Sequence, residues 1–297
     1  MLSFIFALFL SPSAHATPNC PEVSGVVKEV IFLKEDDCKL AADLANTFNT
    51  MAKTFGVAPE ITLVVGGPMD NASFDNGHII EVPYRMAFFG RYGQEYPVSL
   101  LSLITSAAHE YGHAIFHEYL KQSLRQEFGS LLKEMEDISI RKERILKGAA
   151  DETFSDDMKK LLTSPEYQRF TSLSPYSEFY ADVLAVFNAN DKSAMLSALY
   201  YSEMDTFQYN YIRMRDFEGD PDPRWENLMY EEHSKLAYTR AYVGKELWPE
   251  NAEQAGHIAD AIVRAILRVA KTNLDQDATP DVQNANAQLI AELNKVH

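Results

Sequence analysis

Apolar positions follow two different periods along the chain, and the change falls near Pro97. Val26 to Leu33 is apolar and β-branched, which predicts a strand. From Asp37 to Phe55, Leu40, Leu44, Thr47, Phe48 and Met51 recur at helical spacing, and Gly56 closes the run. Ile61 to Val65 predicts a second strand, stopped by Gly66-Gly67-Pro68. Asp75-Asn76-Gly77 is a turn signal, and His78 to Val82 follows as a third strand ended by Pro83. Beyond Pro97 the period is 3.6. Val98 to Gln122 predicts a long helix with Pro97 near its first turn. Residues 123–163 continue it as a charged amphipathic helix, with Leu124, Phe128, Leu131, Leu132, Met135 and Ile138 on one face. Further helices are predicted from Ser174 to about Asn188, Ser193 to Met214, Glu226 to Leu247, Glu253 to Lys271 and Val282 to Val296, with a rigid loop at Asp220-Pro221-Asp222-Pro223. Strands followed by many helices imply an α+β fold: a small N-terminal sheet portion, residues 17–96, and a helical portion, 97–297.

With 46% apolar residues, the chain has enough apolar material for a sizeable core. The balance of 27 Lys and Arg against 43 Asp and Glu, net -16, repels phosphate backbones. The most basic window, Arg141 to Arg144, is ringed by carboxylates, so no nucleic-acid partner is expected.

The opening run MLSFIFALFL, followed by Ala14-His15-Ala16, has the layout of a secretory signal peptide, residues 1–16, although its start carries no Lys or Arg. The run is too short for a membrane span, which needs about 20 residues. An extracytoplasmic protein, periplasmic or secreted, with no stable membrane insertion is the expectation. In such a compartment Cys20 and Cys38 predict one disulfide, two buried thiols being the alternative.

Candidate chemistry lies inside the long helix, at His109-Glu110-Tyr111-Gly112-His113. Positions i and i+4 stack on one helix face, so both imidazoles can reach one ion. Zinc suits neutral imidazole ligands and leaves a position for water in catalytic sites; Glu110 can reach that water as general base. The small and apolar flanks, including Ala107, Ala108, Ala114 and Ile115, imply a buried helix in which uncompensated His and Glu would be costly. Phe116 and Tyr119 stand where the metzincin pattern needs Gly and His. His117, one turn further, diverges from a common tetrahedral centre on a straight helix and reads as a core or surface residue.

The better third ligand is Glu178 in Ser177-Glu178-Phe179-Tyr180-Ala181-Asp182. Asp182, one turn on, can accept the outward N–H of a ligating His and fix its tautomer. Glu134, Glu136 and Glu143 are rival ligands. The paired motifs resemble those of the gluzincin metallopeptidases, the thermolysin-like branch of the zincins. The resemblance covers two helices and the strands before them. It implies a zincin-like fold and a zinc peptidase acting on protein or peptide, with His109, His113 and Glu178 as ligands, Glu110 as base and Asp182 behind the ligands. Glu178 follows His113 by 65 residues, longer than the thermolysin-type pattern, and the helical insertion 121–163 is a candidate lid over the cleft.

In zincins an edge strand pairs with extended substrate, and His78 to Val82 is the expected one. His233, expected on a helix, is the candidate oxyanion donor, with Arg240 two turns later and Tyr230 or Tyr238 as alternatives. Tyr200-Tyr201 and Tyr209-Asn210-Tyr211 read as core. A non-peptidase zinc hydrolase and a non-catalytic extracytoplasmic binding protein are the rival functions.

Overall fold

The fold is described from a computed structural model, for residues 23–33, 37–66, 71–89, 93–276, 278 and 280–295. The predicted signal peptide and Cys20, and with Cys20 the predicted bridge to Cys38, lie outside these residues.

The α+β organisation is present, with a small mixed sheet at the N-terminal end and helices after it. Strand β1 (Val27–Phe32) leads into helix α1 (Cys38–Phe55). The Asp37 carboxylate caps α1 by accepting from the Leu40 N–H, and Gly56 ends it in the left-handed conformation, φ 71°. Leu40, Leu44, Phe48, Met51 and Phe55 form its buried face. Strand β2 (Ile61–Val65) is buried throughout and pairs in parallel with β1 on one side and β4 (Ile79–Val82) on the other. An unbroken apolar run suits a parallel strand covered on both faces.

The two-residue strand β3 (Ser73–Phe74) completes the order β1-β2-β4-β3, antiparallel to β4. The segment expected at the edge therefore lies inside the sheet, and β3 takes the edge. A second small sheet joins β5 (Ala87–Phe89) to β6 (Glu95–Pro97).

Helix α2 (Leu100–Ser123) is capped by the Ser99 hydroxyl and packs against β3, β4, α1 and, most extensively, α6 (Ser174–Ala189). The predicted continuous helix over 123–163 breaks after α3 (Arg125–Leu146) and resumes as α4 (Phe154–Leu162), followed by α5 (Pro165–Phe170). Helix α3 is built into the body. Its Phe128, Leu131, Leu132, Met135 and Ile138 enter the core. Its polar side chains hold the sheet: Ser139 Oγ donates to Asp75 Oδ2 at 2.7 Å, Glu143 accepts from Thr62 at 2.9 Å and meets His78 Nε2 at 2.6 Å, and Lys142 pairs with the buried Glu81. These contacts make α3 a strap across the sheet.

The expected helix over 193–214 is two, α7 (Ala194–Leu199) and α8 (Thr206–Arg213), the second opened by a capping box at Asp205 and Gln208. The expected helix over 226–247 is a 3-10 segment, Pro223–Tyr230, then a turn, then α9 (Ala237–Glu246). Helices α10 (Ala252–Asp275) and α11 (Val282–Leu293) end the fold. Apolar side chains from both portions of the chain, Val27 and Phe48 with Val183 and Ile266, enter one cluster. Tyr200 and Tyr209, expected in the core, are 51% and 38% exposed.

His117 is buried, between Phe74 and Phe170 ring edges, and neither ring nitrogen has a hydrogen-bond partner. Burial holds its pKa down at about 3, against 6.5 when free. The unfolded chain therefore takes up a proton in this window that the native chain refuses, and stability falls with falling pH. Replacing His117 with Phe removes two unpartnered nitrogens and should stabilise by about 1 kcal/mol near neutrality. The advantage over wild type should widen by about 2 kcal/mol between roughly pH 7 and pH 5. Urea denaturation of both proteins at the two pH values measures this; an equal gap at both would mean that His117 is not held neutral.

Candidate metal centre

Helices α2 and α6 cross at Gly112. A Cβ built there would stand 2.8 Å from Ala181 Cα and 3.1 Å from its carbonyl oxygen, so only glycine permits this approach. Contacts run in opposite order along the two helices: His113 Nδ1 meets Ser177 Oγ at 2.8 Å, and His109 Nδ1 meets Asp182 Oδ1 at 2.9 Å. The helices are thus antiparallel, and the face of α2 carrying both imidazoles is turned to the face of α6 carrying Glu178 and Asp182.

His109 Nε2 and His113 Nε2 converge to 2.9 Å, and Glu178 reaches them with Oε2 at 3.2 Å and Oε1 at 3.4 Å. One ligand atom from each of the three lies within 4.8 Å of the others. Glu178 Oε2 is buried and makes no well-aligned hydrogen bond despite its neighbours. Two facing imidazole nitrogens and an orphaned buried carboxylate oxygen form a donor set that fits a cation, and two imidazoles with one carboxylate suit zinc. The nitrogens turned away are engaged by Ser177 and Asp182, the outer support such ligands need.

The charges respond to this crowding. Burial and the Arg215 charge push the His109 pKa down, but hydrogen bonds to Asp182 and Glu178 outweigh them and carry it to about 9. Burial raises Glu178, yet the two imidazoles hold it well below the ordinary carboxylate range. Asp182 is fully buried; against the cost of burial, Arg215 and Arg240 keep it ionised.

Glu110, the predicted base, points to the sheet edge, where the Phe74 N–H donates to its Oε2 at 2.8 Å. Burial raises its pKa. Phe74 pairs with Ile80, and Asp75 N–H donates to the Ile79 carbonyl, so the Phe74 amide faces away from β4 and toward α2.

His233 comes to the centre, with Nε2 3.5 Å from Glu178 Oε1, though it sits in the turn before α9 and not on a helix. Its Nδ1 meets Glu231 Oε1 at 2.5 Å, and the Tyr211 hydroxyl donates to Glu231 Oε2 at 2.5 Å. Burial lowers the His233 pKa, but Glu231 and Glu178 together raise it above its ordinary value. Glu231, Glu232 and His233 stand close enough to share a cation, but Glu231 is already taken by Tyr211 and His233.

The other candidates are elsewhere. Arg240 is fully buried, with Nε 2.9 Å and Nη2 2.7 Å from Asp182 Oδ2, and its guanidinium lies over the Phe179 ring. It holds Asp182 from the side away from His233. Tyr230 is 72% exposed, and Tyr238 packs beside Met214, Met229 and Val282. Glu143 is used by the sheet strap, Glu136 lies 3.8 Å from Lys121, and Glu134 is exposed.

Sequence reasoning missed Arg215 and Glu231 and assigned Tyr211 to the core. Arg215 follows α8, outside any periodic pattern. Glu231 stands two residues before His233, and its contact is legible only with the turn known.

Gly112→Ala should lower stability by about 1–3 kcal/mol through overpacking against the Ala181 backbone, overriding a helix-propensity gain of about 1 kcal/mol. Chemical denaturation checks this, and a stabilised variant would show that α2 and α6 are not held at this distance.

Comparison of the chain with protein-family models, with curated proteins and with solved structures gives no match to any of them.

Proposed function

We propose that the protein is an extracytoplasmic zinc-dependent peptidase of gluzincin type with a zincin-like arrangement of sheet edge and active-site helix. The observation that carries this is the convergence of His109, His113 and Glu178 with Glu110 beside them and Asp182 behind. No helix among the described residues is long and apolar enough to cross a membrane.

Zinc bound by His109, His113 and Glu178 would polarise a scissile carbonyl and acidify a bound water. Glu110 takes the proton of the attacking water and passes it to the leaving amine. The Phe74 amide holds the Glu110 carboxylate at the sheet edge while it does so. His233, with Nδ1–H committed to Glu231, carries a second proton on Nε2 when charged and donates it as a hydrogen bond to the developing oxyanion. Tyr211 fixes Glu231 from its other oxygen. A protein or peptide chain is the substrate this machinery fits.

Three predictions test this reading. Glu110→Gln should retain zinc and lose about 10²–10⁴-fold in casein or peptide hydrolysis; turnover equal to wild type removes Glu110 from the mechanism, and turnover of esters without peptides would favour a non-peptidase hydrolase. The pH profile of kcat/KM should be bell-shaped. Its acid limb should lie above the ordinary carboxylate range because burial raises Glu110, which must be ionised. Its alkaline limb should lie above 6.5 because the hydrogen bond to Glu231 raises His233, which must be charged. His233→Ala should abolish the alkaline limb with a loss of about 10²–10³-fold in kcat. An unaltered alkaline limb would assign it to another group.

A further inference from the structure

Two buried guanidiniums share Asp182, but they are not equivalent. Arg240 reaches Asp182 alone among the described ion pairs, with both contacts on Oδ2. Arg215, from the segment after α8, holds Asp182 through Nη2 at 2.5 Å from Oδ1 and Nε at 3.1 Å from Oδ2. The same Nη2 lies 3.2 Å and 3.4 Å from the two ring nitrogens of His109 and 3.7 Å from Glu178 Oε2. It is thus a fixed, buried positive charge at the two atoms, His109 Nε2 and Glu178 Oε2, that face the centre.

The geometry points to Arg215 as a charge-tuning residue that holds the affinity of the His109–His113–Glu178 centre for zinc below what these three ligands would otherwise give. The inference rests on the metal reading above. A guanidinium near a ligand carboxylate neutralises it in the metal-free protein and repels a second cation in the loaded one; both effects lower affinity. Burial keeps water from screening them. A purely structural clamp acts in the opposite direction: its loss lets Asp182 and His109 drift and weakens binding. The two roles therefore differ in sign. Arg240, which touches no ligand, serves as the structural comparison, because it continues to hold Asp182 when Arg215 is replaced.

The test is the zinc dissociation constant of the full chain, measured by competition with a chromophoric chelator. Arg215→Met should bind zinc about tenfold tighter or more, the change expected from removing one nearby buried charge. Arg215→Lys, which keeps the charge, should stay close to wild type, and Arg240→Met should bind more weakly. Equal or weaker binding by Arg215→Met would overturn the proposal and leave Arg215 a structural clamp. Should Arg215→Met not fold, Arg215→Gln keeps a donor for Asp182 without the charge, and equal or weaker binding, or failure of this variant to fold as well, overturns the proposal. Wild type that takes up no zinc would instead refute the metal reading itself, an outcome separate from any difference among the variants.

Discussion

The buried carboxylate of Asp182 is the interaction on which the centre depends. It has no exposed surface, and a charge in that position is tolerated only when opposite charges and hydrogen bonds replace water. Arg215, Arg240 and His109 do so, and they arrive from three separate parts of the chain: the segment after α8, helix α9 and helix α2. One anion thereby ties together three elements that also share the core. Removing one member of a buried charged set leaves the others uncompensated, commonly at about 3–5 kcal/mol, so the constellation forms as a unit. Its geometry is transmitted to the centre through His109, whose Nδ1 is occupied by Asp182 and whose Nε2 is thereby aimed at His113 and Glu178.

Close packing sets the distance over which this works. Gly112 lets α2 approach the backbone of Ala181, and this brings residues within a turn of the crossing into hydrogen-bond range. The long stretch between the two motif helices leaves that contact undisturbed because α3 lies against the sheet, held through Ser139, Lys142 and Glu143. Its hydrophobic face fills the core. A segment so anchored differs from a hinged cover, and the extra length between His113 and Glu178 is accommodated as structure.

What could be read from the sequence follows the range of the forces involved. The helix of His109 and His113, and the helix of Glu178 and Asp182, are legible because their ligands recur at i+4 within long apolar runs. The parallel strands β1, β2 and β4 are legible as β-branched runs between turn signals. The edge strand is not: Ser73–Phe74 is two residues long, too short for any period, and it exists because β4 and α2 lie on either side. The Phe74 amide that reaches Glu110 is a main-chain group with no sequence signature. Arg215 acts on Asp182, 33 residues away, and Glu231 is fixed by Tyr211, 20 residues away, so only the folded chain brings these together.

The turn before α9 explains why His233 comes to Glu178 while Arg240 does not. On a continuous helix, His233 and Arg240 would share a face and compete for one role. In the structure Ser234 Oγ donates to the Leu228 carbonyl at 2.5 Å, and Leu236 N-caps α9 in a non-helical conformation, so the chain changes direction between the two residues. His233 remains on the partly exposed side, facing Glu178, while Arg240 points into the core toward Asp182. One face of α6 is thus met at two points from a single short segment: by a titratable imidazole at Glu178, on the partly exposed side, and by a permanent cation at the fully buried Asp182. That division rests on the break in the helix, which lets His233 stop at Glu178 while Arg240 continues inward to Asp182.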